Sequence, residues 1–318
     1  MSLDVMKDVS ILQDKYFFHV PHAHLIADYV WPGLIMSPQR VIDLRKEEFT
    51  EDDVLIASYP KSGTTWMTEI VSALHYGGDT DALKKVRQDE RVPWLELEHS
   101  YWWVKMFYEY HKHEAEQCKA RPRRVAFTHL PLEMLPDSVL FGKCKVVYVA
   151  RNPKDNAVSF YHFHRMARFL GLQKNLNWND FFALYVSGSI YCGSWFEHVL
   201  GYWKFSQKLK DRVLFCKYED LKRDMKGEID KIADFIDMKV SPEKMQKVYD
   251  HCTFDSMKKN PMANRNSRML LDQTVVKFMR KGQVGDWKNY FTFAQSELFD
   301  ELYKLKMEGT GLTFEFEQ

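Results

Sequence analysis

Lys61, Ser62, Gly63, Thr64 and Thr65 place a mobile cation, a glycine and three hydroxyls within five residues. A phosphate needs such a set: charge, short donors and a backbone that can approach closely. The run before it, Val54-Leu55-Ile56-Ala57-Ser58, is apolar and partly β-branched and predicts a buried strand. After it, Met67, Ile70, Val71 and Leu74 fall on one face of a helix that ends near Gly77-Gly78. Strand, tight loop and helix aim backbone N–H groups and the positive end of a helix dipole at an anion. The alternative is a strand–turn–helix junction that happens to be rich in hydroxyls; the clustering of lysine, glycine and hydroxyls favours a phosphate cradle. It departs from the nucleotide P-loop, whose lysine follows its second glycine, because here the lysine comes two residues before the only glycine. Trp66, next in line, offers a flat face to a base or packs in the core.

Three further segments carry chemistry. Arg123-Arg124-Val125-Ala126-Phe127-Thr128-His129-Leu130-Pro131 reads as a strand running into a Pro-terminated loop. The carboxyl ends of strands in α/β sheets line the ligand crevice, so His129 stands where a general base is useful. The alternative is a histidine that only hydrogen-bonds its own loop. Next, the strand-like Val146–Ala150 leads into Arg151, and Pro153 suits the first turn of a helix that carries Ser159 about two turns on. A guanidinium fork with a hydroxyl suits a phosphate, although Arg151 could also simply pair with Asp155. Arg280-Lys281-Gly282 sets two cations beside a glycine, either a compact anion site or a charge pair on a solvated loop.

Taken in order, these segments resemble the cytosolic sulfotransferase family over roughly residues 30 to 315. Each motif is short, but their joint order is specific. The resemblance implies a co-substrate, 3′-phosphoadenosine 5′-phosphosulfate. Lys61, Ser62, Gly63, Thr64 and Thr65 would hold its 5′ end, with Lys61 also stabilising the leaving phosphate. Arg151, Ser159, Arg280, Lys281 and Gly282 would hold the 3′-phosphate. Trp66, Tyr218 and Phe254 would surround adenine, and Cys252 stands where the family commonly has threonine. His129 would take the proton of the acceptor hydroxyl as it attacks sulfur. The family usually writes Lys-Thr-His-Leu-Pro around that histidine, and this chain has Phe127 in place of the lysine. Period-2 alternation puts Phe127 on the same side as His129, which implies a slower enzyme or an acceptor that uses the ring. Trp94 and Phe163 match acceptor-pocket positions, and Trp102, Trp103, Phe107 and Tyr108 are candidates for a lid. Lys288, Thr292 and Glu297 fit the family's short dimer motif, with Phe293 in place of valine, so a homodimer through the Lys288–Glu297 segment is expected.

The elements that must position these residues are strand-like runs at Val54–Ser58, Val125–Thr128, Lys145–Ala150 and Val213–Lys217, with helical periodicity between several of them, as at Ile229, Ile232, Ala233 and Ile236. Alternating strands and helices predict an α/β fold: one domain over 1–318, with an extension at roughly 1–30 and a central parallel sheet flanked by helices in a P-loop-kinase-like core. The chain has 318 residues, 45% of them hydrophobic, enough for a sizeable core. Forty-five basic and 44 acidic residues leave +1, so nothing in the balance demands nucleic acid or an anionic membrane. Five scattered cysteines without metal spacing fit reduced thiols in the cytoplasm. No metal is implied. Two other readings remain: a P-loop kinase using ATP and magnesium, and a catalytically weak sulfotransferase-fold protein that binds nucleotide and an apolar ligand.

Overall fold

The computed structural model of the chain describes residues 14–16, 19–33, 35–97, 124–171, 173–264 and 270–318. Two short strands, β1 (His24–Ile26) and β2 (Tyr29–Trp31), pair antiparallel with His24 opposite Trp31. The central sheet is parallel, in the order β4-β3-β5-β6, from β3 (Val54–Ala57), β4 (Val125–Thr128), β5 (Lys145–Ala150) and β6 (Val213–Lys217). Three of these strands coincide with the expected runs, and the fourth stops one residue short, at Ala57. Successive residues feed opposite cores, as a pleat requires. Leu55 and Ala57 join Tyr148 and Ala150 on one face, while Val54 and Ile56 join Val147 and Val149 on the other.

Helices cover both faces, which is why the strands are mostly apolar, with Lys145 and Lys217 only at their ends. On the second face lie α1 (Thr64–His75) and, further along the chain, the helices that bring Ile229, Ile232 and Val248 to the same core. The short α2 (Gln88–Arg91) packs behind α1. On the first face lie α3 (Pro153–Met166) and α4 (Trp195–Lys208), through Val158, Phe160, Val199 and Tyr202. The described part of the N-terminal segment packs there too. Tyr16 is buried, with its hydroxyl 2.9 Å from His164 Nε2 and accepting the Tyr191 N–H.

Chain order fixes the crevice. From β3 the chain passes to β4 on one side, then to β5 on the other, so the order reverses between β3 and β5. Ligands in open α/β sheets bind at that switch point, outside the carboxyl ends of the strands. The loop after β3 holds Lys61, and Arg151 follows directly on the end of β5 at Ala150. Lys61 and Gly63 both take left-handed backbone, with φ of 69° and 109°. A Cβ on Gly63 would sit 2.9 Å from the Tyr218 ring, so the position requires glycine for conformation and space alike.

A buried ionic knot holds α1 behind this loop. Glu69 accepts from Gln88 at 2.6 Å, from Arg91 at 3.0 Å and from His251 at 2.6 Å. Burial pushes the Glu69 carboxyl up, but its His251, Arg91 and Gln88 partners outweigh burial and hold it below the ordinary range. Gln88 Nε2 also donates to the Thr65 carbonyl at 3.0 Å, which ties the knot to the first turn of α1.

Candidate active site

A cavity of about 420 Å³ opens at the carboxyl ends of the sheet strands. One end is cationic and the other apolar, and the expected residues divide accordingly.

At the cationic end, Lys61, Gly63, Thr64 and Thr65 line the wall. Ser62 does not: it is fully buried, and its hydroxyl takes Asn156 Nδ2 at 3.1 Å, while the same amide group donates to the Pro60 carbonyl at 2.8 Å. Ser62 therefore fixes the loop from behind. Thr64 Oγ1 lies 2.7 Å from Ser58 Oγ. Arg151 and Ser159 line the same cavity. Arg151 Nη2 donates to the Gln283 carbonyl at 2.7 Å and stands 3.7 Å from Asp155, so the ion pair with Asp155 exists beside the cavity-facing role. Its buried Nε has no hydrogen-bond partner. Arg280, Lys281 and Gly282 complete this end.

The aromatic expectations converge. Trp66 and Tyr218 meet edge to face at 5.5 Å, and Trp66 Nε1 donates to the Cys252 carbonyl at 2.8 Å. Position 252 thus contributes through its backbone, and its neighbour Thr253 lines the cavity while its hydroxyl donates to the Asp250 carbonyl at 3.0 Å. Gly282 sits against Phe254 so closely that a Cβ would lie 2.5 Å from the ring.

At the apolar end stands His129. Its Nδ1 lies 2.8 Å from the Ser58 carbonyl, which can only accept, so in the neutral ring the proton sits on Nδ1 and the lone pair on Nε2. Its backbone is held on both sides. The N–H donates to Glu96, and the carbonyl accepts from His198 Nε2 at 3.2 Å. Burial drives His198 down to about 3, so that ring is neutral. Trp94 and Phe127 stack at 5.8 Å and 16°, and each presents an edge to the His129 ring at 5.8 Å. Lys61 Nζ rests 3.7 Å above Phe278 and 4.8 Å above Phe163. The lid candidates Trp102, Trp103, Phe107 and Tyr108 lie outside the described residues.

Glu96 is wholly buried, and burial lifts its carboxyl to about 7, opposed by the His129 amide. Between the ordinary glutamate value and about 7, the unfolded chain gives up this proton while the folded chain keeps it. Stability therefore falls as pH rises through that window. Glu96→Gln removes the penalty, and a rise of a few degrees in Tm is expected at pH 8.5, with almost none at pH 4. Thermal melts at the two values check it, and an equal shift at both would show that Glu96 does not titrate there.

Residues 51–311 match the sulfotransferase domain family. The chain belongs to the sulfotransferase family. Human sulfotransferase 1C2 is 41% identical to it over 290 residues, 89% of this chain and 93% of that protein. The solved structure of retinol dehydratase in a complex with retinol and PAP superposes with a TM-score of 0.78 at 26% identity, covering 95% of this chain and 96% of that one. Mouse sulfotransferase SULT7A1 complexed with PAP gives 0.69 at 32% identity, covering 90% and 94%. As a family member the protein is a sulfotransferase enzyme.

Several cavity residues of this sulfotransferase escape the sequence reading. Leu221, Lys222 and Met225 line the wall below Tyr218. They follow it at helical spacings of three, four and seven, a signal that was present. Met257 follows Phe254 by three, as the same rule implies. Phe169, Tyr191, Leu270 and Leu271 also line the apolar end, and their sequence pattern is that of ordinary core. Among the described residues, no group of three or more His, Cys, Asp or Glu side chains is placed to hold a metal, and no helix is long and apolar enough to cross a membrane.

Proposed function

We propose that the protein transfers a sulfuryl group from 3′-phosphoadenosine 5′-phosphosulfate to a hydroxyl, or an amine, of a small apolar acceptor with a flat aromatic or steroid-like body. The observation that carries this reading is His129, its neutral tautomer set by Ser58, lining one cavity together with the cations and the aromatic rings. The co-substrate supplies an activated sulfuryl group on a good leaving phosphate. The residues fit such a nucleotide: the unpartnered Arg151 Nε and the space that glycine leaves at 63 and 282 suit an anion pressed against the backbone. In this reading His129 Nε2 takes the acceptor proton, and Lys61 stabilises charge on the leaving phosphate. Arg151, Ser159, Arg280, Lys281 and Gly282 hold the 3′-phosphate, with adenine among Trp66, Tyr218 and Phe254. Trp94, Phe127 and Phe163 flank the acceptor. Positioning and fixed charge supply most of the rate, as in phosphoryl transfer. The proposal extends to one cytoplasmic domain, in keeping with the four described cysteines, which are buried and unpaired. It also includes a homodimer through Lys288–Glu297, where Phe293 is exposed on the helix that Thr292 caps.

The test offers purified protein the donor nucleotide, without added metal, and a panel of phenols, steroids, alcohols and amines, with mass spectrometry for sulfated products. Any product supports the reading; failure to bind the nucleotide at all sinks it. A requirement for ATP and magnesium would install the kinase reading instead.

Phe127 favours a second reading. The ring is 4% exposed and stacked on Trp94 where the family places a cation. A protein that lost turnover with that lysine would bind nucleotide and an apolar ligand without transfer. Phe127→Lys separates the two. For a slow enzyme, kcat on small phenols rises by about tenfold or more, since a donor aimed at developing charge is worth roughly 3–4 kcal/mol. Affinity for large flat acceptors falls as the stacked ring is lost. Unchanged turnover would remove position 127 from the chemistry.

A further inference from the structure

We infer that Asp286 is a positioning residue for the nucleotide's 3′-phosphate: its carboxylate grips Arg280 and Lys281 from behind and presents both cations already aimed. The inference rests on the reading of this end of the cavity as the 3′-phosphate site. Asp286 Oδ2 lies 2.5 Å from Arg280 Nη2, Lys281 Nζ pairs with Oδ1, and Asn289 Nδ2 donates to Oδ1 at 2.8 Å.

Placement decides what the carboxylate does. A carboxylate inside the cavity would compete with an incoming phosphate. Arg280, Lys281, Gly282 and Gln283 line the cavity, and Asp286 does not. Its side chain is 4% exposed, against 20% for Arg280 and 43% for Lys281. The acid therefore stands behind the cations and orients them. Burial alone would raise its pKa, but the Lys281, Asn289 and Arg280 contacts outweigh burial and keep it ionised.

Two adjacent cations on a loop repel each other and carry large rotamer entropy, so neither would wait in place unaided. A guanidinium has five donors, and contact through Nη2 leaves others for a phosphate. The brace is itself anchored. Asp155, buried on α3, accepts the N–H groups of Gly285 at 2.8 Å and Trp287 at 3.0 Å, the residues on either side of Asp286. Because α3 also carries Ser159 and begins just after Arg151, the contacts lock both walls of the phosphate site in one register.

The experiment titrates native and Asp286→Asn full-length protein with adenosine 3′,5′-bisphosphate and with adenosine 5′-monophosphate by calorimetry. The native protein should prefer the bisphosphate; without that preference the 3′-phosphate reading fails, and the inference with it. Given the preference, the variant should lose about tenfold for the bisphosphate and less than about twofold for the monophosphate. Equal losses for both nucleotides, no loss, or tighter bisphosphate binding would each overturn the positioning role. If Asp286→Asn does not fold, Asn289→Ala removes only the neutral donor on the same carboxylate. It should narrow the preference by about twofold, and an unchanged preference overturns the inference.

Discussion

His129→Ala is expected to lower kcat for sulfuryl transfer by about a thousandfold and to leave the affinity for adenosine 3′,5′-bisphosphate within about twofold of native. Both halves of that result follow from where the ring stands. It meets the apolar end of the cavity through Trp94 and Phe127. In the neutral ring the Ser58 carbonyl holds the proton on Nδ1, so Nε2 keeps the lone pair that can accept one, as a base requires. Truncation removes that lone pair without disturbing Arg151, Arg280 or Lys281. Its strand end stays fixed, because Glu96 and His198 hold backbone groups and not the imidazole. His129→Gln should be nearly as slow, since an amide fills the space but cannot accept the proton. Single-turnover rates and calorimetric titrations of both variants check the result. If nucleotide binding falls in step with turnover, His129 is holding the fold and not the acceptor's proton.

The sheet was legible because parallel strands buried on both faces are short, uninterrupted apolar runs, and Val54–Ala57 or Lys145–Ala150 could hardly be anything else. The cations that line the cavity were legible for a different reason. Cations at a strand end or beside glycine are rare in cores, so Lys61, Arg151 and Arg280-Lys281-Gly282 stand out from their surroundings. What stayed hidden were residues whose role depends on direction. Ser62 carries the right hydroxyl in the right loop, yet it turns inward to Asn156, and nothing in the order Lys-Ser-Gly-Thr reveals which hydroxyl will do so. Glu96 sits in the segment that supplies Trp94, but its reach to the His129 amide is a tertiary event 33 residues away. Asp286 reads as one more surface acid until Arg280, Lys281 and Asn289 are seen closing on it. Local spacing tells which residues can carry charge; packing tells which way they face.

Lys61→Met is the second large loss, with kcat expected to fall by about 10²–10³-fold, the effect of removing one donor aimed at developing charge. The ammonium now rests on the faces of Phe278 and Phe163. Such contacts are worth roughly 0.5–2 kcal/mol. A leaving phosphate gains charge as its bond to sulfur breaks, and at close range in a partly desolvated cavity that charge outbids an aromatic quadrupole. The rings thus hold Lys61 near its target without trapping it. With a benzyl ring at 127, no lysine at that position shares the load, so the loss should be heavier than where both cations are present. Phe127→Lys supplies the comparison: adding Lys61→Met to that variant should cost several-fold less than adding it to the native chain. Ground-state nucleotide affinity should change little, because in the proposed reading Arg151, Ser159, Arg280 and Lys281 anchor the other phosphate. Lys61→Arg should not restore the rate, since a planar fork cannot occupy the compact space above two rings. A Lys61→Met enzyme that keeps more than about a third of native kcat would move the stabilisation of the leaving group to another residue.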